Sequence, residues 1–333
     1  MISFLNDYST LCHPQIAKVI AENCNKNLGA YYQGEYTTAL KQKIANLCGC
    51  EVDCAVMVGG TQTNVFAIAN LLKPYQSVIA PFSAHINVHE AGAVEHAGRK
   101  IFTAPSLDGK ITPKDVLQIL KSIDSSQAKP KMVCISQPTE VGTIYSLQEL
   151  VALYSCCQQN GLYLFIDGAR LGSALTSRHA DFSLGEIAQN CHAFYLGGTK
   201  SGLPIGELLI YKKSLFDENL FLLQKQAGVL LAKGEWVSMC FDALLPDLFY
   251  QINKKANDVA QVFAKQLKQK GVELWQKQQT NQLFIKLSHG KVERLQRKFD
   301  FCIWEEHKEY KVIRLVCTYL TTMEEIDQFI AII

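Results

Sequence analysis

Short, continuously apolar runs alternate with amphipathic stretches over the first three quarters of the chain. Each run is bounded by glycine or polar residues, and such runs are typical of strands buried on both faces of a sheet. We predict buried strands at residues 55–59, 77–80, 131–136, 162–167 and 193–198.

The stretches between these strands have the apolar spacing of helices. The segment GTQTNVFAIANLLKP predicts a helix that ends before Pro74, and LQELVALYSCCQQNG predicts an amphipathic helix over 147–161 that ends at Gly161. Alternation of strands and helices is typical of an α/β fold with a mostly parallel sheet flanked by helices. We therefore predict that fold class for the larger part of the chain.

The pattern changes near residue 245. A long helical stretch at 247–270 is followed by strand-like runs at 282–287 and 312–317, and a last helix begins near Thr322. This order predicts a smaller C-terminal α+β domain. We place the boundary at Pro246, which gives a large domain at 1–246 and a small domain at 247–333.

Composition excludes several classes of protein. The 333 residues are 48% hydrophobic and 19% charged, with a net charge of +2, which argues against disorder and offers no basic surface for nucleic acid or membrane. No apolar run approaches the roughly 18 residues of a membrane span. The first residues lack the basic and apolar regions of a secretory leader, so we expect a cytoplasmic protein.

The twelve cysteines do not suggest a disulfide framework, and we expect free thiols. The tightest group is Cys48, Cys50 and Cys54 in CGCEVDC. Three thiolates could bind a metal, but no fourth ligand lies nearby and the spacing of a zinc knuckle is missing. We favour the interpretation that these cysteines are small buried residues, and we predict no metal site.

Three predicted strands are followed by unusual residues, and ligands of parallel sheets gather at such strand ends. The first is GGTQTN at 59–64, where glycines and the N-terminus of a helix favour an anion such as phosphate. The alternative is an ordinary glycine turn in which Thr61 caps the helix.

The second strand end carries Asp167 in DGARLG. A carboxylate there is costly unless it meets a cation. A metal, a protonated heterocycle or a structural pair with Arg170 would each serve.

The third carries Lys200 in GGTKSG, an isolated lysine among small residues. Lysine forms Schiff bases with carbonyl compounds once its pKa is lowered. Together, the anion site, Asp167 and Lys200 are the parts needed to hold pyridoxal 5'-phosphate: the lysine bonds to its aldehyde, and the carboxylate keeps its ring nitrogen protonated.

The chain resembles the threonine aldolase family, in the aromatic amino acid β-eliminating lyase group of pyridoxal-phosphate enzymes. The resemblance runs over nearly the whole length and implies the aspartate-aminotransferase-like architecture (fold type I). DGARLG with GGTK is the most specific pair. The motifs that carry it, in chain order, are NDYSTLCHPQI, GGTQTN, AHINVHEAGAVE, PTEVGTIYSL, LFIDGARLG, FYLGGTKSG, LLAKG and IRLVCTYLTTMEEID.

The resemblance implies roles for the cofactor residues. Lys200 would be the Schiff-base lysine and Asp167 the partner of the pyridinium nitrogen. Arg170 would lie beside the ring oxygen, with Gly60 and Thr61 under the phosphate. The implied reaction is cleavage of a β-hydroxy-α-amino acid such as L-threonine or L-allo-threonine to glycine and an aldehyde.

Further roles concern the substrate. His85 would stack on the ring face and serve as a base, and Arg314 would bind the substrate carboxylate, although Glu305 or Glu306 could instead pair with that arginine. Asn6 stands where relatives usually have a serine that helps to bind this carboxylate. It can still donate a hydrogen bond, with a different reach.

Two more positions imply a shared site between subunits of a homodimer or homotetramer. Lys225 lies near the place where relatives have a cation that reaches the phosphate of the neighbouring subunit. Tyr31 lies in a segment that crosses toward the partner's site in relatives.

One departure concerns the reaction itself. Many aldolases have a second histidine after the central strand, whereas this chain has Thr139 and Glu140 there. The base for the substrate hydroxyl would then be His85, Glu140 or water. There are three alternative hypotheses. The protein could catalyse β-elimination, racemisation or transamination with the same cofactor, or it could be a non-catalytic paralogue that binds the cofactor. It could also be a nucleotide-binding protein that uses GGTQTN.

Overall fold

The computed structural model describes residues 1–216 and 219–333. Within them, the strands are β1 (Ile2–Ser3), β2 (Val52–Met57), β3 (Gln76–Pro81), β4 (Lys100–Ala104), β5 (Lys129–Ser136), β6 (Tyr163–Asp167), β7 (Ala193–Gly197), β8 (Glu207–Lys212), β9 (Gln282–Leu287), β10 (Phe299–Asp300), β11 (Cys302–Glu306) and β12 (Lys311–Val316).

The helices of the described residues are α1 (Pro14–Asn23), α2 (Glu35–Cys48), α3 (Gly60–Leu71), α4 (His85–Val88), α5 (Ala93–His96), α6 (Pro113–Ser122), α7 (Leu147–Gln159), α8 (Leu171–Leu175), α9 (Leu184–Gln189), α10 (Leu220–Gln226), α11 (Glu235–Leu244), α12 (Asp247–Gln269), α13 (His289–Gln296) and α14 (Met323–Ile332). A short 3₁₀ turn covers Thr199–Ser201. No helix in this part of the chain is both long and apolar enough to cross a membrane.

A seven-stranded sheet with the order β2-β8-β7-β6-β5-β3-β4 forms the centre of the molecule. Its inner neighbours from β7 to β4 pair in parallel, whereas β8 is antiparallel to both β2 and β7. The mostly parallel α/β sheet predicted from the sequence is confirmed. The strands β4 and β8 are additions that the hydrophobic pattern did not single out.

Helices cover both faces of this sheet, as the burial of its strands shows. Along β6, Leu164 and Ile166 pack into one hydrophobic core and Phe165 into another. The same alternation occurs in β7, where Phe194 and Tyr195 face opposite cores. A strand buried on both faces needs apolar residues at every position, which explains the continuous runs in the sequence.

A third core lies in the C-terminal part of the chain, around the antiparallel sheet β11-β12-β9. Helix α12 begins immediately after Pro246, and its residues divide between two cores: Phe249 packs with the large sheet and Phe263 with the small one. The smaller C-terminal α+β domain predicted from the sequence is confirmed, and its sheet is antiparallel. The boundary at Pro246 stays a prediction.

The beginning of the chain also packs on this third core. Strand β1 pairs in parallel with β10, and Phe4 is fully buried there. The ring centroid of Phe4 lies 5.3 Å from that of Phe263 and 5.7 Å from that of Phe329. The residues that follow Phe4 are thereby brought to the edge of the large sheet.

The cysteines at 48–54 occupy ordinary structural positions. Cys48 is the last residue of α2, Gly49 follows it with a φ of +61°, and Cys54 is buried in β2. Burial raises the pKa of the Cys48 thiol to about 12, so it stays protonated. No cluster of potential metal ligands occurs among residues 1–216 and 219–333.

The backbone of Gly197, the last residue of β7, lies very close to that of Ala169, just after β6. A Cβ on Gly197 would lie 2.1 Å from the carbonyl oxygen of Ala169, and neither backbone can yield easily. Gly197→Ala should lower the free energy of unfolding by about 3 kcal/mol or more. The measurement is urea unfolding of the purified protein.

Gly290→Ala is the matched control, because a Cβ there meets no atom within 4 Å. It should leave the stability unchanged or slightly raised, within about 1 kcal/mol. Equal stability of the two variants would contradict the packing described for Gly197.

Candidate active site

Five segments meet at the carboxyl edge of the parallel strands. They are the start of α3 after β2, the start of α4 after β3, the turn after β5, the last residue of β6, and the 3₁₀ turn after β7. Together they line a cavity of about 360 Å³. The predicted residues that line it are Gly60, Thr61, His85, Asp167 and Lys200.

Asp167 is buried at the end of β6, with 4% of its surface exposed. Its carboxylate accepts three hydrogen bonds, from Asn64 Nδ2 at 2.9 Å, Tyr195 Oη at 2.6 Å and the Ala169 backbone N–H at 3.0 Å. Burial and the adjacent carboxylate raise the pKa of Tyr195, so this phenol remains a donor. These donors compensate the cost of a buried carboxylate and fix its orientation.

Lys200 stands on the 3₁₀ turn beyond β7, and its Nζ lies 5.7 Å from the ring centroid of Tyr8. Burial and the charge of Arg170 lower the pKa of Lys200, against the opposing charges of Asp7, Glu140 and Asp167. A lowered pKa increases the fraction of neutral amine, the form that attacks carbonyl carbons.

The glycine loop begins α3 without any side-chain cap. Gly59 is the N-cap residue, so the alternative in which Thr61 caps the helix is wrong. The first N–H groups of a helix have no intrahelical acceptor, and they favour an anion. A Cβ on Gly59 would meet no atom within 4 Å, so the space in front of this helix end is open to a ligand.

Arg170 pairs with Asp7 rather than with Asp167. Its Nε donates to Asp7 Oδ2 at 2.7 Å and its Nη2 to Asp7 Oδ1 at 3.0 Å, and Asn281 Nδ2 donates to the same carboxylate at 3.1 Å. The structural pair Asp167–Arg170 considered from the sequence is therefore wrong. Despite burial, the charges of Arg170 and Lys200 lower the pKa of Asp7, so this partner is ionised.

A chain of hydrogen bonds connects His85 to Asp167. Glu90, whose side chain is fully buried, accepts from Asn64 Nδ2 at 2.8 Å, and its Oε1 lies 2.8 Å from His85 Nδ1. The same Asn64 nitrogen also donates to Asp167. Burial lowers the pKa of His85, but the bond to Glu90 and the charges of Glu140 and Asp167 outweigh it, and the net pKa is raised.

Arg314 lies on β12 with its guanidinium 5.4 Å from the Trp304 ring. Its Nε is buried and has no hydrogen-bond partner in the described part of the chain. Burial and the charge of Arg170 lower its pKa.

The carboxylates considered as alternative partners of Arg314 are engaged elsewhere. Glu305 pairs with His307 at 2.9 Å and Glu306 with Lys311 at 2.9 Å. A partly buried guanidinium group whose Nε lacks a partner among the described residues is suited to bind a carboxylate ligand.

Arg170, Arg314 and the remaining predicted residues are not part of the lining of this cavity. Asn6 accepts hydrogen bonds from the Tyr8 N–H at 3.0 Å and from Ser9 Oγ at 2.8 Å, and it shapes the turn beside Asp7. Lys225 Nζ lies 4.3 Å from the ring centroid of Tyr31. The last two residues therefore contact each other, and neither lines the cavity around Lys200.

Several residues of the site were not identified from the sequence. Asn64 and Tyr195 lie inside a helix and a strand, where nothing in the pattern distinguishes them. Glu207 is the first residue of the apolar strand β8, just as Asp167 is the last residue of β6. An acidic residue next to an apolar run is a pattern that could have identified it. Asp7 lies in the motif NDYSTLCHPQI, but its sequence context does not predict a pair with Arg170.

The lysine, the buried carboxylate and the open helix N-terminus in one cavity define an enzyme that uses pyridoxal phosphate. The residues present fit that group: an amine for its aldehyde, an acid for its ring nitrogen and N–H donors for its phosphate. The comparisons with known proteins agree with this class.

A model of the beta-eliminating lyase family matches residues 11–289, and the chain belongs to that family. A low specificity L-threonine aldolase of Pseudomonas sp. is 31% identical over 88% of this chain and 86% of its own length. A second, from Saccharomyces cerevisiae, is 26% identical over 77% of this chain and 67% of its own.

Solved structures extend this similarity. A threonine aldolase of Leishmania major superposes with a TM-score of 0.97 at 36% identity, covering 100% of this chain and 98% of its own. An aspartate aminotransferase of Thermus thermophilus gives a TM-score of 0.73 at 15% identity, covering 100% of this chain and 90% of its own. The second match concerns the fold alone and confirms the predicted aminotransferase-like architecture.

Glu207 should make the stability of the folded protein depend on pH. Burial raises its pKa from the ordinary 4.5 to about 7, although the charge of Lys200 and hydrogen bonds lower it. Between pH 4.5 and about pH 7 the folded state therefore holds a proton that the unfolded state releases. The free energy of unfolding falls as pH rises through this range. Glu207→Gln mimics the protonated form at every pH.

The free energy of unfolding of Glu207→Gln, minus that of the wild type, should therefore increase by about 3 kcal/mol between roughly pH 5 and pH 8. Urea unfolding of both cofactor-free proteins measures this difference, in which the titration of other groups cancels. A difference that stays constant with pH would contradict the assignment.

Proposed function

We propose that the protein is a pyridoxal-phosphate-dependent carbon–carbon lyase that cleaves a β-hydroxy-α-amino acid, such as L-threonine or L-allo-threonine, to glycine and an aldehyde. The observation that supports this most directly is the meeting of Lys200, Asp167 and the start of α3 in one cavity. The relatives named L-threonine aldolase select the substrate class.

Each cofactor-binding role is matched to one group of the chain. The amine of Lys200 holds the aldehyde carbon, Asp167 keeps a proton on the ring nitrogen, and the N–H groups of Gly60 and Thr61 bind the phosphate. His85 packs against one ring face. When bound, pyridoxal phosphate supplies a protonated ring that accepts the electrons of the breaking bond.

Substrate binding depends on Arg314. Its unpaired guanidinium group binds the amino acid carboxylate in a two-pronged arrangement, which orients the bond between Cα and Cβ. Asn6 supports the same end of the substrate through the turn that it shares with Asp7 and Tyr8. Arg170 adds positive charge beside the ring and is held in place by Asp7.

The products distinguish this function from other reactions on the same cofactor. Purified protein should be yellow and should release glycine and acetaldehyde in equal amounts from L-threonine or L-allo-threonine. Lys200→Ala should lose both the visible absorbance and the activity, because no other lysine lines the cavity in the described residues. Lys213→Ala, which removes an exposed lysine, is the control and should keep both.

Ammonia and a keto acid as the main products would indicate β-elimination and overturn the aldolase assignment. A colourless protein that is retained on immobilised nucleotide would overturn the cofactor as well.

We further infer that the enzyme is cytoplasmic and works as a homodimer or a homotetramer with shared sites. Tyr31 and Lys225 contact each other at a distance from the cavity of their own subunit. A cation at that position can act on the phosphate in a neighbouring subunit, which accounts for its separation from Lys200.

A mixing experiment tests this arrangement. Lys200→Ala and Lys225→Ala proteins should each have low activity alone, but hybrids combine an intact Lys200 from one subunit with an intact Lys225 from the other. Dissociation and reassociation of an equal mixture should restore up to about a quarter of the wild-type activity. Activity that stays at the mean of the two variants, despite proven hybrid formation, would exclude a shared site.

A further inference from the structure

Three carboxylates of the described residues line the cavity around Lys200, and two of them already accept hydrogen bonds. Asp167 accepts three hydrogen bonds, and Glu207 Oε2 accepts the backbone N–H of Gly198 at 2.9 Å. The third, Glu140, makes no side-chain hydrogen bond or ion pair with any residue of 1–216 or 219–333, although only 8% of its surface is exposed. Because Glu140 lines the cavity, a ligand bound there would be within reach of its free carboxylate.

The turn that carries Glu140 is rigid. The Thr139 N–H donates to the Thr143 carbonyl at 2.8 Å, and the Gly142 N–H donates to the Thr139 carbonyl at 2.9 Å. Thr143 Oγ1 donates to the Asp108 carbonyl at 2.6 Å, which ties the turn to a neighbouring loop. Glu140 is therefore held in the cavity wall by its backbone, without side-chain bonds of its own.

Glu140 shares the cavity with Lys200 and His85 and acts on further charged groups. Besides the effect of burial, its negative charge contributes to the pKa values of His85, Arg170 and Arg314. It thus lies within electrostatic reach of the arginine that binds the carboxylate and of the histidine beside the ring.

The alternative base is His85, whose Nδ1 lies 2.8 Å from Glu90 Oε1. The net pKa of His85 is raised by its bond to Glu90 and by nearby carboxylates, which increases the fraction of protonated ring, the form that has no lone pair for a hydroxyl proton. Tyr195 is a donor to Asp167 and is equally unsuited.

We infer that Glu140 is a catalytic residue that accepts the proton of the substrate's β-hydroxyl group. This inference rests on the proposed function. The hydroxyl proton passes to a Glu140 oxygen as the bond between Cα and Cβ breaks, and the electron pair of the O–H bond becomes the second bond of the aldehyde C=O. The electron pair of the broken bond stays on the Cα side, and Cα then takes up a proton from water. The aldehyde leaves before Glu140 releases its proton to water.

Glu140→Gln tests the inference, because it keeps the shape of the side chain and removes the base. In the holoenzyme, kcat/KM for cleavage of L-threonine should fall by roughly 100-fold or more. Exchange of the α-proton of glycine in heavy water, followed by NMR, should stay within about threefold of the wild type because glycine has no hydroxyl group.

The melting temperature of the holoenzyme supplies a readout independent of activity. It should stay close to the wild-type value in Glu140→Gln, because the variant keeps the shape of the side chain and breaks no hydrogen bond with the described residues. Glu293→Gln, which neutralises an exposed carboxylate on α13, is the matched control and should change none of the three measurements.

The outcomes separate the inference from the proposed function. Cleavage by Glu140→Gln at the wild-type rate overturns the inference alone. An equal loss of cleavage and proton exchange, or a lowered melting temperature, shows a structural role and also overturns it. Wild-type protein that exchanges the glycine proton but cleaves no β-hydroxy amino acid refutes the proposed function itself.

Discussion

Asp167, a carboxylate buried at the end of a parallel strand, must be supplied with donors, and much of the site depends on this requirement. Asn64 and Tyr195 meet it from a helix and a neighbouring strand. Because Asn64 also donates to Glu90, and Glu90 holds His85, the orientation of the histidine depends on the same set of bonds. The acid and the histidine are therefore positioned by one network and are difficult to alter separately.

The pair Asp7–Arg170 connects this network to the rest of the molecule. Strand β1 and Phe4 anchor the beginning of the chain on the small core, and Asp7 then reaches Arg170 beyond β6. Asn281, just before β9, donates to the same carboxylate. Residues from both ends of the chain thus complete a site that the large sheet begins, which couples packing of the C-terminal part to the charge around Lys200.

Fold and cofactor chemistry are shared widely, so the substrate side must determine the reaction. The aspartate aminotransferase of Thermus thermophilus has the same architecture at 15% identity. In this chain the residues proposed for the substrate side are Arg314, whose Nε has no hydrogen-bond partner among the described residues, and Glu140, which lines the cavity. In the proposed reaction the first would bind a carboxylate and the second would accept a proton, a combination that suits a hydroxy amino acid.

The sequence by itself determined the alternation of strands and helices, and with it the sheet edge where Gly60, Asp167 and Lys200 collect. Hydrophobic periodicity is local, and the carboxyl ends of parallel strands meet wherever such a sheet forms. Only the tertiary structure decided the partners: Asp7 for Arg170, Asn64 for Asp167, and for Arg314 Nε none among the described residues. Asp7 and Arg170 lie 163 positions apart in the chain. No local pattern encodes such a pair, because packing of the whole chain brings them together.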